Sequence, residues 1–179
     1  RSVKVVALHK GLDSDGQCRG YRPIGVPGPT QRALSSTLAE FYKEDFTKAT
    51  LKHGQFAMVC RGVEAAALSI KAYVQKGDTV VQTDGKNAFN SLNRTTMLRQ
   101  VAEAVPELFP ALKTLLGGPT LYFDSSGNMQ ESFSGCVQGD PLSMPLCALT
   151  IAKAIMQAEV RCISFADDNH IIGNSKEEA

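Results

Sequence analysis

Apolar and polar positions along this chain mark a series of short elements. Val3 to Leu8 reads as a strand, and Tyr21-Arg22-Pro23-Ile24-Gly25-Val26 as a second extended segment. The polar stretch from Gly11 to Gly16 lies between them, so the pair is expected to form a hairpin with a long tip, Lys10 and Arg22 flanking its two sides. Residues 29 to 51 have a helical period, with Leu34, Leu38, Phe41 and Tyr42 on one face. A second helix is expected from Val63 to Gln75, ending at Lys76-Gly77, a cation followed by a C-terminal glycine. Thr79 to Asp84 reads as a short buried strand with Asp84 at its carboxyl end. Gly85-Lys86-Asn87 breaks it, and Ala88-Phe89 opens one helical pattern running through Leu92, Met97, Leu98 and Val101. Glu107 to Leu116 is helical again, and Thr120–Phe123 and Gln130–Phe133 flank a polar turn, Asp124 to Asn128. The last helix is expected from Asp140 to Gln157, with Asp140 as N-cap and Pro141 at the first helical position. A hairpin follows within Cys162 to Ile172. The order predicts an α+β fold with helices on one face of an antiparallel sheet.

The final hairpin carries the most informative chemistry. Its loop, in Phe165-Ala166-Asp167-Asp168, holds two adjacent like charges where a hairpin selected for stability prefers Asn-Gly or Asp-Gly. Neighbouring carboxylates repel, and flanking apolar strands reduce their hydration, so the arrangement costs free energy that a divalent cation removes. Asp84 strengthens that reading. Alone it is a helix-initiating turn residue, but beside an Asp pair in one sheet it completes an oxygen-ligand set. Carboxylates from two such elements can hold two Mg²⁺ ions roughly 3.5–4 Å apart for in-line displacement at phosphorus.

Composition bounds the picture without deciding it. The 179 residues, 43% hydrophobic and 21% charged, make one ordinary domain or a domain and part of another. A net charge of +1 neither demands nor excludes nucleic acid, but Arg1, Lys4, Lys10, Arg19, Arg22 and Arg32 make the first segment cationic. Five scattered cysteines (Cys18, Cys60, Cys136, Cys147 and Cys162), none in a Cys-x-x-Cys pair, point to free thiols. They place the chain in a reducing interior, nucleus or cytoplasm. His9, His53 and His170 show no ligand spacing with them, and no membrane-spanning run is present. The sequon Asn93-Arg94-Thr95 falls inside a predicted helix and is set aside. With no initiator Met and patterned sequence running to both ends, the chain reads as a piece of something longer.

Gly135-Cys136-Val137-Gln138-Gly139-Asp140-Pro141-Leu142-Ser143 holds one feature that helix capping does not explain. A glycine just before a helix permits close backbone approach by a ligand, and Gln138 beside it can hydrogen-bond a base or sugar edge. Taken in order, the segments resemble a reverse transcriptase, of the kind found in non-LTR retrotransposons. Tyr21-Arg22-Pro23-Ile24 resembles the fingers motif after a basic strand, and Gln55-Phe56 with Arg61-Gly62 the Gln-x-Gly-Phe-type motif, from which Ala57-Met58 departs. Asp84-Gly85-Lys86-Asn87-Ala88-Phe89 is similar to the first catalytic palm motif. Gln138 to Ser143 is similar to the template-positioning motif, and Phe165-Ala166-Asp167-Asp168 to the Tyr/Phe-Ala-Asp-Asp box. Asn90 stands where many relatives carry Asp, and Met144 where they usually have Pro.

The resemblance implies a right-hand polymerase, residues 1–78 as fingers and 79–179 as palm, with the primer grip and thumb absent. It implies that Asp84 and Asp167 ligate two Mg²⁺ ions, for which Mn²⁺ can substitute, with the Gly85 carbonyl an additional ligand and Asp168 a weaker contributor. Lys10 and Arg22 would grip the triphosphate, Arg as a planar fork and Lys as a point charge. Phe89 would exclude a ribose 2′-hydroxyl, and Gln138 and Gly139 would position the template. The implied partners are an RNA template, a DNA or RNA primer, dNTPs and the rest of a larger polyprotein or open reading frame, with no membrane. An RNA-dependent RNA polymerase is the less favoured enzyme, because it carries a polar partner for the 2′-hydroxyl and Gly-Asp-Asp in its hairpin. A domesticated fragment with a binding or structural role is the reading of a different class. Alone, the 179-residue stretch is expected to be inactive or weak.

Overall fold

The computed structural model describes residues 1–12, 14–17 and 20–174; Cys18 and Arg19, noted above among the cysteines and cations, lie outside the described residues. Strands β1 (Ser2–His9) and β2 (Tyr21–Pro27) pair antiparallel, His9 opposite Tyr21 and Val3 opposite Pro27. Within the two strands, burial is confined to the base, at Val3, Gly25 and Pro27, and Arg22 near the other end is exposed. The base is extended by a second hairpin, β4 (Thr120–Phe123) and β5 (Met129–Ser132), whose first strand runs parallel to β1. The resulting four-stranded sheet has the order β2-β1-β4-β5.

A second sheet has the order β3-β7-β6, from β3 (Thr79–Asp84), β6 (Cys162–Phe165) and β7 (Asp168–Gly173), antiparallel throughout. Helix α3 (Gly62–Gln75) packs on it through Ala66, Ile70 and Tyr73 against Val80, Ile163 and Ile172. Here β3 differs from the buried strand expected from its sequence. It is an edge strand, half-buried at Thr79 and Val80 and exposed from Val81 to Asp84, because α3 covers only its beginning.

The main core is helical. Phe46, Met97, Val101, Leu108, Leu112, Leu146 and Leu149 form one buried cluster joining α2 (Lys43–Leu51), α5 (Arg94–Ala104), α6 (Phe109–Leu116) and α7 (Ser143–Ala158). A single 3₁₀ turn, Pro106–Leu108, leads into α6. The single helix expected over residues 29 to 51 is two, α1 (Pro29–Phe41) and α2, broken at Tyr42 with φ −97° and ψ 13°. Glu44 and Asp45 restart the helix at the positive end of its dipole. The break also changes the inward face. Phe46 is fully buried, while Phe41 is 76% and Leu34 47% exposed.

Two other helix boundaries depart from the sequence pattern. The helix expected from Ala88 onward is split into α4 (Ala88–Ser91) and α5, because Leu92 is extended and Asn93 caps α5, its side chain accepting from the Thr96 N–H at 2.9 Å. The sequon asparagine is therefore a cap rather than a mid-helix residue. Helix α7 begins at Ser143 and not at Asp140, whose carboxylate is used for longer-range contacts described below.

Arg94, at the first turn of α5, is nearly buried and holds three chain segments at once. Its Nε donates to the Gly135 carbonyl (2.8 Å), Nη1 to the Gly118 carbonyl (2.7 Å), and Nη2 to Thr120 Oγ1 (2.8 Å) and the Ser134 carbonyl (3.2 Å). All these acceptors are neutral, and burial followed by the nearby Arg1 charge lowers the Arg94 pKa. Replacing it leaves several buried carbonyls without donors, each costing about 1–3 kcal/mol if water cannot reach it. Arg94→Met, which keeps the stem volume, is expected to destabilise the fold by on the order of 3 kcal/mol. Urea unfolding measures this, and a loss under about 1 kcal/mol would show the network to be dispensable.

Candidate active site

Strand register brings the three aspartates to one end of the three-stranded sheet. Asp84 ends β3 directly opposite Asp168, the first residue of β7. Phe165 pairs with Asp168 across the final hairpin, so Ala166 and Asp167 form a two-residue turn. A turn of that length needs a residue at positive φ, and Ala166 supplies it at φ 54°. Asp167 therefore projects past the strand ends. Burial raises its pKa first, and the neighbouring Asp168 and Asp84 charges add to the rise; its own backbone N–H and Arg22 pull the other way.

A cleft of about 460 Å³ opens over this end of the sheet. Of the nine residues singled out in the sequence, it gathers seven: Lys10, Arg22, Asp84, Gly85, Phe89, Gln138 and Asp167. Lys86 and Asn87, between Asp84 and Phe89, also line it. Asp168 and Gly139 are not among its lining residues. Asp168 is exposed at the start of β7. Gly139, at φ 115°, lies so near β2 that a Cβ would meet the Gly25 carbonyl oxygen at 2.5 Å. This contact lets the Gly25 N–H donate to the Gln138 carbonyl (2.7 Å) and places Gln138 at the rim.

The loop behind the cleft is tied down on every side. The Cys136 N–H donates to the Phe89 carbonyl (2.7 Å) and the Gly135 N–H to the Leu92 carbonyl (2.6 Å), so α4 carries Phe89 against the loop. The Phe89 ring is half-buried and packs on the main core as well as lining the cleft. Asp140, expected as an N-cap, instead gathers three side-chain donors at Oδ2: Arg1 Nη2 (2.9 Å), Gln31 Nε2 (3.0 Å) and Ser35 Oγ (3.2 Å). Its Oδ1 accepts from the Leu142 N–H (3.0 Å), which bends the chain before α7 begins.

Gln55 is the residue of this region whose role the sequence did not disclose. It is fully buried, and its amide meets both backbone polar atoms of Ala166, the turn residue before Asp167. Only its place in a Gln-Phe pair resembling a family motif singled it out, because the contact spans 111 positions. A second groove, about 350 Å³, shares Pro23, Asn87 and Gln138 with the cleft and adds the neutral polar side chains Asn90, Tyr122, Gln130, Ser132 and Ser134.

Among the described residues, no group of three or more His, Cys, Asp or Glu side chains forms a metal cage by itself. Asp84 and Asp167 in one cleft, the Asp167 pKa raised first by burial and then by the Asp168 and Asp84 charges, fit the open sites in which Mg²⁺ takes one or two carboxylates and completes its shell from phosphate oxygens and water. The donors are all oxygen, which suits Mg²⁺ or Mn²⁺ and not a thiolate-seeking ion.

The raised Asp167 pKa has a stability consequence. A carboxyl that holds its proton more tightly in the folded state favours folding below the carboxylate range and opposes it as pH rises through the folded value. Asp167→Asn is therefore expected to raise Tm at neutral pH without divalent cations, with the gain fading in acid and shrinking when Mn²⁺ is added. Thermal scans at both pH values check this, and a lower Tm for the variant at neutral pH would contradict it.

Residues 9–179 match the sequence pattern of the reverse transcriptase (RNA-dependent DNA polymerase) family. No curated protein sequence matches the chain. Among solved structures, apo telomerase from Candida tropicalis, truncated from its C-terminal domain, superposes with a TM-score of 0.65 at 12% identity, covering 98% of this chain and 44% of that one. Telomerase from Candida albicans, in complex with the TWJ fragment of telomeric RNA, gives 0.60 at 10% identity, over 98% and 38%. A partial Cas6-RT-Cas1–Cas2 complex gives 0.54 at 17% identity, over 98% and 30%. At such identities the likeness is one of fold, fingers and palm, and this chain spans less than half the length of each. With that fold beneath it, and the family pattern running over nearly all of its length, the chain belongs to the reverse transcriptase family.

Proposed function

We propose that the chain is the fingers-and-palm core of an RNA-directed DNA polymerase, residues 1–78 forming the fingers and 79–179 the palm. The observation that carries this reading is the convergence of Asp84 and Asp167 on one cleft with Lys10, Arg22 and Phe89. The reaction is attack of a primer 3′-hydroxyl on the α-phosphorus of a dNTP. A new P–O bond forms, the bond to the bridging oxygen breaks, pyrophosphate leaves, and the hydroxyl proton passes to solvent. Two Mg²⁺ ions, or Mn²⁺ in their place, held at Asp84, Asp167 and the Gly85 carbonyl would lower the hydroxyl pKa and neutralise charge on the triphosphate. Asp168, exposed and outside the cleft lining, contributes through its charge on Asp167.

The chain's own residues supply orientation. Arg22 and Lys10, brought into the cleft lining by the first hairpin, take the triphosphate; Lys86, between Asp84 and Phe89, adds a third cation. Together the three offset the two cleft carboxylates and leave a net positive surface for a polyanion. Phe89 limits the space beside the sugar and selects deoxyribose. The adjoining groove, lined by neutral amides and hydroxyls, suits the base edges of an RNA template, which need paired donors and acceptors and no charge. Gly139 acts in this scheme by seating Gln138. A larger protein, of non-LTR retrotransposon type, supplies what holds the primer–template duplex.

Primer extension by the full-length protein on an RNA template with Mg²⁺, dNTPs and rNTPs supplied separately, tests the reading. Extension with dNTPs that Asp167→Asn or Asp84→Asn abolishes is the expected result; none with either set would favour a binding or structural role, and rNTP-only extension an RNA polymerase. In the active protein, Phe89→Ala or Phe89→Val is expected to raise rNTP incorporation relative to dNTP by roughly tenfold or more, on the scale of one lost steric contact. Unchanged sugar selectivity would remove Phe89 from that role.

A further inference from the structure

We infer that Gln55 is a positioning residue for Asp167: its carboxamide clamps the strained turn residue Ala166 and so sets where the next side chain projects. The inference rests on the polymerase reading for its catalytic consequence, and on geometry alone for the clamp. Ala166 has φ 54°, in a two-residue hairpin position where glycine is the usual occupant, and it is buried. Without other support such a peptide would relax, and the Asp167 carboxylate would move with it.

The support comes from one planar group. The Ala166 N–H donates to Gln55 Oε1 (2.8 Å) and Gln55 Nε2 donates to the Ala166 carbonyl (2.9 Å). Both backbone polar atoms of the strained residue thus end on a single rigid amide, and neither peptide flanking it can rotate without losing one bond. Gln55 is itself held. Its Oε1 also accepts from the Ala57 N–H (3.2 Å), and its backbone runs beside β6, where the Ser164 N–H donates to the Gly54 carbonyl and the Phe56 N–H to the Ser164 carbonyl, each 2.8 Å. A side chain on Gly54 would strike the Cys162 carbonyl, so glycine there permits this approach.

The far side of Asp167 is fixed as well. Asn169 Nδ2 donates to the Asp167 carbonyl (2.9 Å), and Ser164 Oγ donates to Asn169 Oδ1 (2.8 Å). The backbone is held before Asp167 by Gln55 and after it by Asn169.

The test is made in the full-length protein with Gln55→Met, which keeps the volume and loses both bonds, and Gln55→Asn, which keeps an amide one methylene too short. Three quantities are read: amide hydrogen exchange at residues 166 and 167, Mn²⁺ binding, and kcat and KM for dNTP. For both variants, exchange should quicken and Mn²⁺ bind more weakly. Loss of kcat should be roughly tenfold to a hundredfold, the scale of a misplaced reacting group, while KM stays within about threefold. Ala166→Gly added to Gln55→Met should recover part of the lost kcat, because glycine takes φ 54° without strain. Unchanged exchange and unchanged Mn²⁺ binding would overturn the inference. So would a kcat loss that follows Tm and that Ala166→Gly does not relieve. Absence of extension by the unmodified protein would count against the polymerase reading alone, since exchange reports the clamp without turnover.

Discussion

Gathering three carboxylates at one sheet end opposes folding, and most of the surrounding architecture answers that constraint. Two unit charges about 4 Å apart repel by about 4 kcal/mol at an effective dielectric of 20, and partial burial of Asp167 adds to the cost by stripping water from it. The raised Asp167 pKa records that burden. The chain meets it from behind, with backbone. Asp84 and Asp168 are locked opposite each other by strand pairing, and the turn between β6 and β7 is gripped through main-chain atoms by Gln55 and Asn169. None of these contacts uses a carboxylate oxygen of Asp84 or Asp167, so the side chains stay available for a cation while their positions are set by groups that do not titrate.

Gln138 reaches the cleft from one loop, residues 135–142. Four distant segments hold it: α4 through Phe89, the end of the α4–α5 break through Leu92, β2 through Gly25, and α5 through Arg94. Asp140 adds Arg1, just before the first strand, and Gln31 and Ser35 of the first helix. An ion pair as buried as Arg1–Asp140 gains little net stability after desolvation, but losing one partner is costly because the other is left charged and dry. Its use is to fix how the first hairpin and α1 stand over the loop that carries Gln138. Sequence neighbours alone could not set that relation, because Lys10 and Arg22 reach the cleft from a hairpin more than 60 positions before Asp84.

What the sequence disclosed was local or charged. Extended runs flanking polar stretches marked the three hairpins, Gly77 marked the end of α3, and an Asp pair in a turn advertised its own cost. The α1–α2 break was hidden because helical periodicity continues through Tyr42; what moves the inward face from Phe41 to Phe46 is a helical core assembled from α5, α6 and α7. The extended Leu92 was hidden for a related reason, since Asn93 reads equally as a mid-helix polar residue or as a cap. Asp140 shows a local rule overridden. An N-cap gives a carboxylate one or two backbone donors, whereas three side-chain donors from α1 and Arg1 outbid that arrangement and shift the helix start to Ser143. Gln55 and Arg94 satisfy backbone groups far away in sequence, and no periodicity encodes which carbonyl a buried amide or guanidinium will meet.

Ala166 is where these lines join. Glycine would take its conformation without the cost, about 1 kcal/mol, that a Cβ imposes in the left-handed region. It would also take several others, because a residue without a Cβ leaves the turn more states to visit. Alanine removes most of those states, and the two Gln55 bonds, each worth about 1 kcal/mol net, more than offset the strain in the one that remains. The turn is thus less stable than an Asn-Gly hairpin could be, yet more singular. For a carboxylate that has to meet a cation at a fixed place beside Asp84, a single conformation held by neutral groups serves better than a more stable turn that wanders.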